Sequence, residues 1–327
     1  MKRLLVEWVR RLVGYPGVMA QLRSLDSRLQ VAETGTATAP TALTLQSVNT
    51  RLDRLEASSR HLSQAMEALE RKVDRHGIDG ADLLSDLIEL TRSGEWPERV
   101  DVRLRADQPV ALTSPDHTHP RGTRNDNTRS PRFVRRCEQV RSGIRHLDIG
   151  CAGGGLVWDF AIRGHFSIGL EGSDYSLREQ RAMWRLIPDR LFTADVRFPY
   201  RFEDPDGAPI KFNLVTAWEF FEHIPTGDLD ATIKLMVETM TGDGLLIASV
   251  ATFGDADPST GVVYHHTVQE KAWWMDKFRS HGLVECPALF DVADFVRGSG
   301  NPRAHDWNAA EQPGLGFHVV LRPGDPR

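Results

Sequence analysis

The stretch "RHLDIGCAGGGLVWDF" occupies residues 145–160. Its first five residues, Arg145 to Ile149, read as a buried strand. A glycine-rich turn follows, Gly150-Cys151-Ala152-Gly153-Gly154-Gly155, and a helical pattern then runs to Gly164. A glycine turn between strand and helix lets backbone approach a ligand closely. The G-x-G-x-x-G spacing of dinucleotide sites is matched from no starting glycine, and the Gly-Lys-Ser/Thr ending of a phosphate-gripping loop is missing. The informative residue is Asp148, two positions before Gly150. A carboxylate at the lip of the strand repels a phosphate and suits a cationic, phosphate-free ligand.

The same alternation continues outward. Strands are expected at 166–172, 191–195, 211–218, 244–252 and 317–322. Helices are expected at 176–187, 228–240 and 267–282. Strands alternating with helices give a parallel sheet covered on both faces, an α/β architecture. In such sheets ligands bind at the carboxyl ends of the strands.

Four features then fall in order, each at a strand's end. The order Asp-x-Gly-x-Ala-x-Gly over 148–154 resembles the first motif of class I S-adenosylmethionine (SAM)-dependent methyltransferases, with Ala152 in place of the usual middle glycine. Glu171 in "GLEGSD" ends the second strand, where an acid accepts hydrogen bonds from ribose hydroxyls. Asp195 in "FTADVRFP" follows the third strand and is placed to reach adenine, with Val196 beside the ring. The stretch "TAWEFFEHIP" (216–225) resembles the E-x-x-E-H-I of many small-molecule methyltransferases. The resemblance spans about residues 144–323. It implies a Rossmann-like fold with a mostly parallel seven-stranded sheet, and SAM as cofactor. The implied cofactor-binding residues are Asp148, Gly150, Cys151, Ala152, Gly153, Gly154, Glu171, Gly172, Ser173, Asp195, Val196, Trp218 and Glu219. Cys151 reads as a small filler in the loop, not a nucleophile.

Methyl transfer is an in-line displacement, so alignment supplies much of the rate. An oxygen acceptor must also lose a proton, for which a positioned base contributes roughly 10²–10⁴-fold. His265 and His266 in "GVVYHHTVQE" (261–270) are the first candidates, with Thr267 as the next helix's N-cap. His223 is the second candidate, with orientation of its own loop as the competing role. The segment "TSPDHTHPRGTRNDNTRSP" (113–131) is almost devoid of apolar residues and is expected to loop over one end of the domain. His117, His119, Arg121, Arg124, Asn125, Asp126 and Asn127 would there help enclose a hydroxyl-rich or anionic acceptor. No metal is expected, because Glu219 and Glu222 lack a convincing second set of ligands. Trp273 and Trp274 read as core residues.

Ahead of this domain lie four further regions. Residues 1–32 begin with an amphipathic helix that presents Leu4, Leu5, Val6, Trp8, Val9, Leu12 and Val13 opposite Arg3, Glu7, Arg10 and Arg11. Packing on protein is the expected role; peripheral membrane contact by residues 1–13 is the alternative. Residues 33–42 are a small, polar linker. Over 43–76, Leu45, Leu52, Ser59, Met66 and Val73 take heptad position a, and Val48, Leu55, Leu62 and Leu69 take d. This is a coiled-coil pattern that predicts a homo-oligomer, with leucine at d favouring a dimer; the alternative is one long amphipathic helix folding back on the globular domain. Residues 81–143 form a helical and loop cap, with a helix over 81–93, before the methyltransferase domain at 144–327.

The chain has 327 residues and a formal net charge of -5. Such a balance gives no electrostatic drive toward nucleic acid. Cys137, Cys151 and Cys286 show no CxxC spacing, so a disulfide framework or structural zinc site is not expected and a reducing cytoplasm is the default location. The expected function is methyl transfer to a small polar acceptor, a hydroxyl of a sugar, glycan or related metabolite, with the coiled coil either dimerising the enzyme or docking it on a biosynthetic partner protein. The alternatives are a macromolecular acceptor and a non-catalytic assembly protein.

Overall fold

The computed structural model describes residues 97–286, 289–296 and 311–324. The N-terminal amphipathic helix, the linker, the heptads and the helix expected over 81–93 lie outside the described residues.

In chain order the elements are β1 (Arg103–Ala106), α1 (Pro115–Thr118), α2 (Gly122–Asn125), α3 (Pro131–Val140) and β2 (Arg145–Ile149). Then follow α4 (Gly155–Ala161), β3 (Phe166–Glu171), α5 (Tyr175–Arg178), β4 (Leu191–Thr193), β5 (Tyr200–Glu203) and β6 (Phe212–Trp218). The chain continues with α6 (Leu229–Thr239), β7 (Met240–Ala251), α7 (Lys271–Ser280), β8 (Leu283–Glu285) and β9 (Gly316–Pro323). Seven strands form one sheet in the order β4-β3-β2-β6-β7-β9-β8, while β1 and β5 form a separate antiparallel pair. Pairing is parallel from β4 to β7, and β9 runs antiparallel to both β7 and β8. The fold is therefore the expected mixed α/β one with a mostly parallel seven-stranded sheet.

The two-residue period of a strand sends alternate side chains to opposite faces. Val215 and Ala217 of β6, Leu246, Ala248 and Val250 of β7, and Phe317, Val319 and Leu321 of β9 join one core. There they meet Ile233 and Met236 of α6 and Trp274 and Phe278 of α7. The intervening Leu214, Leu245, Ile247 and Val320 enter a second core with Phe133 and Val134 of α3 and Leu156 and Phe160 of α4. Both faces of the sheet are thus covered by helices. Because neither face meets water, the strands read as continuous apolar runs instead of an alternation. Trp274 is a core residue, as expected.

The chain turns to β3 on one side of β2 and to β6 on the other. That reversal opens a crevice at the carboxyl ends of β2 and β6. The glycine turn and the "WEFFEH" stretch both lie there.

Several sequence expectations need correction. The helix expected over 176–187 is broken into α5 and a 3₁₀ turn at Ala182–Arg185. Gln180 and Ala182 stand at φ 48 between them, a left-handed backbone that interrupts an α-helix. Tertiary contacts hold the break: Met183 N donates to Gly153 O (2.9 Å), and Arg181 Nε donates to Ser176 Oγ (3.2 Å). Helix α7 starts at Lys271 with Glu270 as N-cap, so Thr267 is not the cap. Its hydroxyl instead donates to Ile224 O (2.7 Å), tying this loop to the turn after β6. The polar 113–131 segment is not a plain loop, since it contains α1 and α2. Finally, α3 was not anticipated, although Ser130 accepts from Phe133 N and Pro131 opens the helix, the start signature of Ser-Pro.

Among the described residues, no helix is long and apolar enough to cross a membrane.

Candidate active site

The glycine turn is held open from three sides. Gly150 N and Cys151 N both donate to Leu170 O of β3. Ala152 N donates to Glu171 Oε2 (2.7 Å), and Ala152 O accepts from Trp184 Nε1 (2.8 Å). Gly150 (φ 75) and Gly154 (φ 80) take left-handed backbone that favours glycine, and Ala152 (φ 44) takes it too. A Cβ on Gly154 would also lie 2.7 Å from Leu191.

Two buried carboxyl groups stand beside this turn, Asp148 at 3% and Glu171 at 7% exposure. Burial pushes both up to about 7; the neighbouring Glu171 charge adds to the effect on Asp148, and Asp116 adds to that on Glu171. Thr216 Oγ1 donates to Asp148 Oδ1 (2.6 Å) and so opposes the rise. Behind Thr216 lies His146, whose Nε2 is 2.8 Å from Thr216 Oγ1 and whose Nδ1 is 2.8 Å from Ser167 Oγ. His146 and Thr216 were not anticipated as site residues. They sit inside a strand run whose apolar content gives them no distinguishing pattern.

These two groups open on one cavity of about 510 Å³, a size suited to a small ligand. Gly150, Cys151, Ala152, Gly172, Asp195, Val196, Trp218 and Glu219 also line it, so most expected cofactor residues share one wall system. Gly153, Gly154 and Ser173 stand behind the lining, where Ser173 N donates to Glu171 Oε1 (3.1 Å). Asp195, expected to reach adenine, is already gripped by Arg197 through Nε (2.8 Å) and Nη2 (2.6 Å). Trp218 packs edge-on against Phe133 at 5.1 Å while lining the cavity. Glu219 stands at φ 49, a strained backbone of the kind concentrated at functional sites. Burial and the charges of Glu171 and Asp148 push the Cys151 thiol well up, so it stays protonated and serves as filler.

The rest of the lining forms a polar wall. Asp116, Arg121, Asn125 and Asp126 come from the 113–131 segment, and His223, His265 and His266 from the loops after β6 and β7. His117, His119, Arg124 and Asn127 do not reach the lining. The two halves of this wall are clamped together. Arg121 pairs with Asp255 and stacks over Tyr264 at 3.8 Å, and Tyr264 Oη donates to His119 O (2.9 Å). Tyr264 and Asp255 escaped the sequence reading, because only the fold brings them opposite Arg121. His265 is 7% exposed, its ring 4.9 Å edge-on from that of His223. Burial, then the neighbouring His265, pulls His223 down, so its ring is neutral near pH 7. His266 is exposed at the mouth.

Among the described residues, neither Asp148 nor Glu171 is hydrogen-bonded to a basic side chain, while the charge of Arg181 is felt at Glu171. A phosphate-bearing ligand would meet two buried carboxyl groups, whereas an ammonium and a sulfonium would favour their ionised forms. The site therefore fits SAM, with Asp148, Glu171 and the 150–154 backbone as the residues to hold it. When bound, SAM supplies a methyl group activated by positive sulfur.

The sheet sets these two carboxyl groups at its switch point, where α/β proteins bind their ligands. A model of the methyltransferase domain family matches residues 123–295, more than half of the chain, and the chain belongs to that family. It is a SAM-dependent methyltransferase, and SAM is its cofactor. A ubiquinone biosynthesis O-methyltransferase of Neisseria meningitidis serogroup C is 28% identical over 181 residues, 54% of this chain and 69% of that protein. A SAM-dependent methyltransferase from Clostridium acetobutylicum has a TM-score of 0.42 and 13% identity, covering 61% of this chain and 92% of its own. CalS10, an amino pentose methyltransferase from Micromonospora echinaspora, has a TM-score of 0.40 and 18% identity, covering 58% and 88% respectively.

Proposed function

We propose that this enzyme methylates a hydroxyl of a small polar acceptor, such as a sugar, a glycan or a related metabolite. The observation that carries this reading is the polar lining that shares one cavity with the cofactor loop. Arg121, Asn125 and Asp126 offer hydrogen bonds to a hydroxyl-rich molecule, and His223 and His265 line the same cavity. The relative named a ubiquinone biosynthesis O-methyltransferase supports oxygen as the methylated atom.

In this reading the residues divide their work. Asp148, Glu171 and the glycine turn hold the cofactor. The clamp of Arg121, Asp255 and Tyr264 fixes the acceptor wall, which serves alignment. His223 and His265 serve the loss of the hydroxyl proton, and His266 guards the mouth.

SAM should raise the melting temperature of the protein, because it binds only the folded state. His223→Ala and His265→Ala should each lower turnover by roughly 10²-fold or more, with SAM affinity nearly unchanged. Turnover can be scored with labelled SAM against fractionated polar metabolites. Wild-type turnover in both variants would remove the histidines from the reaction.

A further inference from the structure

None of the roles assigned so far uses His146, the histidine buried in β2. His146, Ser167 of β3 and Thr216 of β6 are each 0% exposed, and Asp148 closes the line at 3%. Strand register brings the four together. His146 pairs with Ser167 across β2 and β3, and Asp148 pairs with Thr216 across β2 and β6. His146 and Asp148 stand two residues apart on one strand, so they share a face of the sheet.

The hydrogen bonds between them run in one direction. Thr216 Oγ1 donates to Asp148 Oδ1 (2.6 Å). A hydroxyl has one hydrogen, so Thr216 Oγ1 can only accept from the imidazole, whose Nε2 is 2.8 Å away. Nε2 therefore carries the proton. Burial, then the neighbouring His165, holds this imidazole well below its ordinary range, so the ring is neutral and Nδ1 keeps a lone pair. Ser167 Oγ, 2.8 Å from Nδ1, is then the donor. The ring centroid lies 4.1 Å from that of Phe160 of α4, which leaves the imidazole little room to turn. Three donors in series thus point at one carboxylate, and each bond polarises the next.

A neutral chain differs from a lysine or arginine at the same place. A cationic partner would cancel the charge of Asp148 and compete with the cofactor's own. The imidazole stabilises the carboxylate and leaves its charge to the ligand. It works against burial and the charge of Glu171, which both disfavour ionised Asp148. The Cys151 thiol on the other side stays protonated.

We infer that His146 and Ser167 are positioning residues for the cofactor: the chain they begin directs the Thr216 hydroxyl onto Asp148 and favours the ionised carboxylate that a cationic ligand needs. His146, Ser167 and Thr216 stand behind the cavity lining, so they act through Asp148. The inference rests on the assignment of Asp148 to SAM.

The test measures SAM affinity of the full chain by calorimetry from pH 6 to pH 8.5. In Ser167→Ala and His146→Phe the midpoint of the affinity profile should rise by roughly 0.5–1 pH unit. Binding at pH 7 should then be about three- to tenfold weaker, with most of the loss recovered at pH 8.5. Ser167→Ala removes a single oxygen and carries the test alone if His146→Phe does not fold. His146→Gln keeps an N–H donor for Thr216 and should restore part of the shift. Because the chain acts through one hydroxyl, Thr216→Val and the double variant His146→Phe/Thr216→Val should share one midpoint; additive shifts overturn the proposal. Nitrogen NMR with ring-labelled histidine should show one imidazole protonated at Nε2 and bare at Nδ1 across this pH range, lost in His146→Gln. A His146 ring protonated at Nδ1 with SAM bound overturns the chain. If Asp148→Ala weakens SAM binding while Ser167→Ala and His146→Phe keep the wild-type midpoint, the positioning role alone fails. Wild-type SAM binding in Asp148→Ala overturns that role together with the assignment of Asp148 to the cofactor.

Discussion

Asp148→Ala is expected to weaken SAM binding by roughly 100-fold, because a hydrogen bond to a charged partner contributes about 1.5–3 kcal/mol and more when buried. The wild-type affinity should also depend on pH. Asp148 and Glu171 both titrate near 7 in the folded protein without cofactor, since burial disfavours their charged forms. Unfolded, they lie at the ordinary values of 3.8 and 4.5. Between about pH 4 and 7 the folded chain therefore binds more protons than the unfolded one, and these two groups lower its stability as pH rises through that window. A cationic cofactor favours the ionised forms, so its binding releases protons. Affinity should fall below pH 7 by about tenfold per pH unit for each carboxyl that must ionise. Calorimetry from pH 6 to pH 8 measures this, and the SAM-induced thermal shift should be larger at pH 8. Thr216→Val removes the hydroxyl that favours ionised Asp148, so the midpoint of the affinity profile should move to higher pH. Equal affinity at pH 6 and pH 8 would falsify the assignment of this carboxyl pair to the cofactor.

Arg129→Met should cost about 3–5 kcal/mol of stability and lower the melting temperature by roughly 10 °C. Arg129 and Asp159 form an ion pair with both side chains only 1% exposed. Asp159 Oδ2 also accepts from Ser130 N (2.7 Å), at the cap of α3. The pair thus joins the end of the polar segment to α4, the helix that leaves the glycine turn. Removing the arginine leaves a carboxylate buried without its counter-charge, the costly half of such a change. The double variant Arg129→Met/Asp159→Leu should recover part of the loss. A double-mutant cycle by chemical denaturation checks this, and strictly additive effects would argue against direct coupling. In Arg129→Met the 113–131 wall should also loosen, seen as faster amide exchange there than in the sheet.

How much was legible follows from the range of the interactions. Strand β2, the glycine turn and the acid ending β3 lie within one strand–turn–helix–strand unit. Their apolar runs and punctuation are local, so Asp148, Gly150 and Glu171 could be found and placed at strand ends. The pairing of β1 with β5 joins segments about a hundred residues apart, and nothing near Arg103 or Tyr200 announces it. The break at Gln180 was hidden for the same reason, because the atoms that hold it belong to Gly153 and to side chains across the turn. His146 and Thr216 were passed over as strand residues, although buried polar side chains need partners and here they find each other.

The sequence by itself determined the class of fold and set Asp148 and Glu171 on their strands beside the glycine turn, while the cofactor was implied by the resemblance to class I methyltransferases. Those depend on period, residue type and short spacing. Only the tertiary structure decided that Arg121 faces Asp255 and Tyr264, that Arg129 meets Asp159, and that Glu222 and His223 share a space with His265. Each of these depends on how separate loops fold back over the sheet's carboxyl edge, and such loops are fixed by long-range packing and hydrogen bonds that no local pattern encodes.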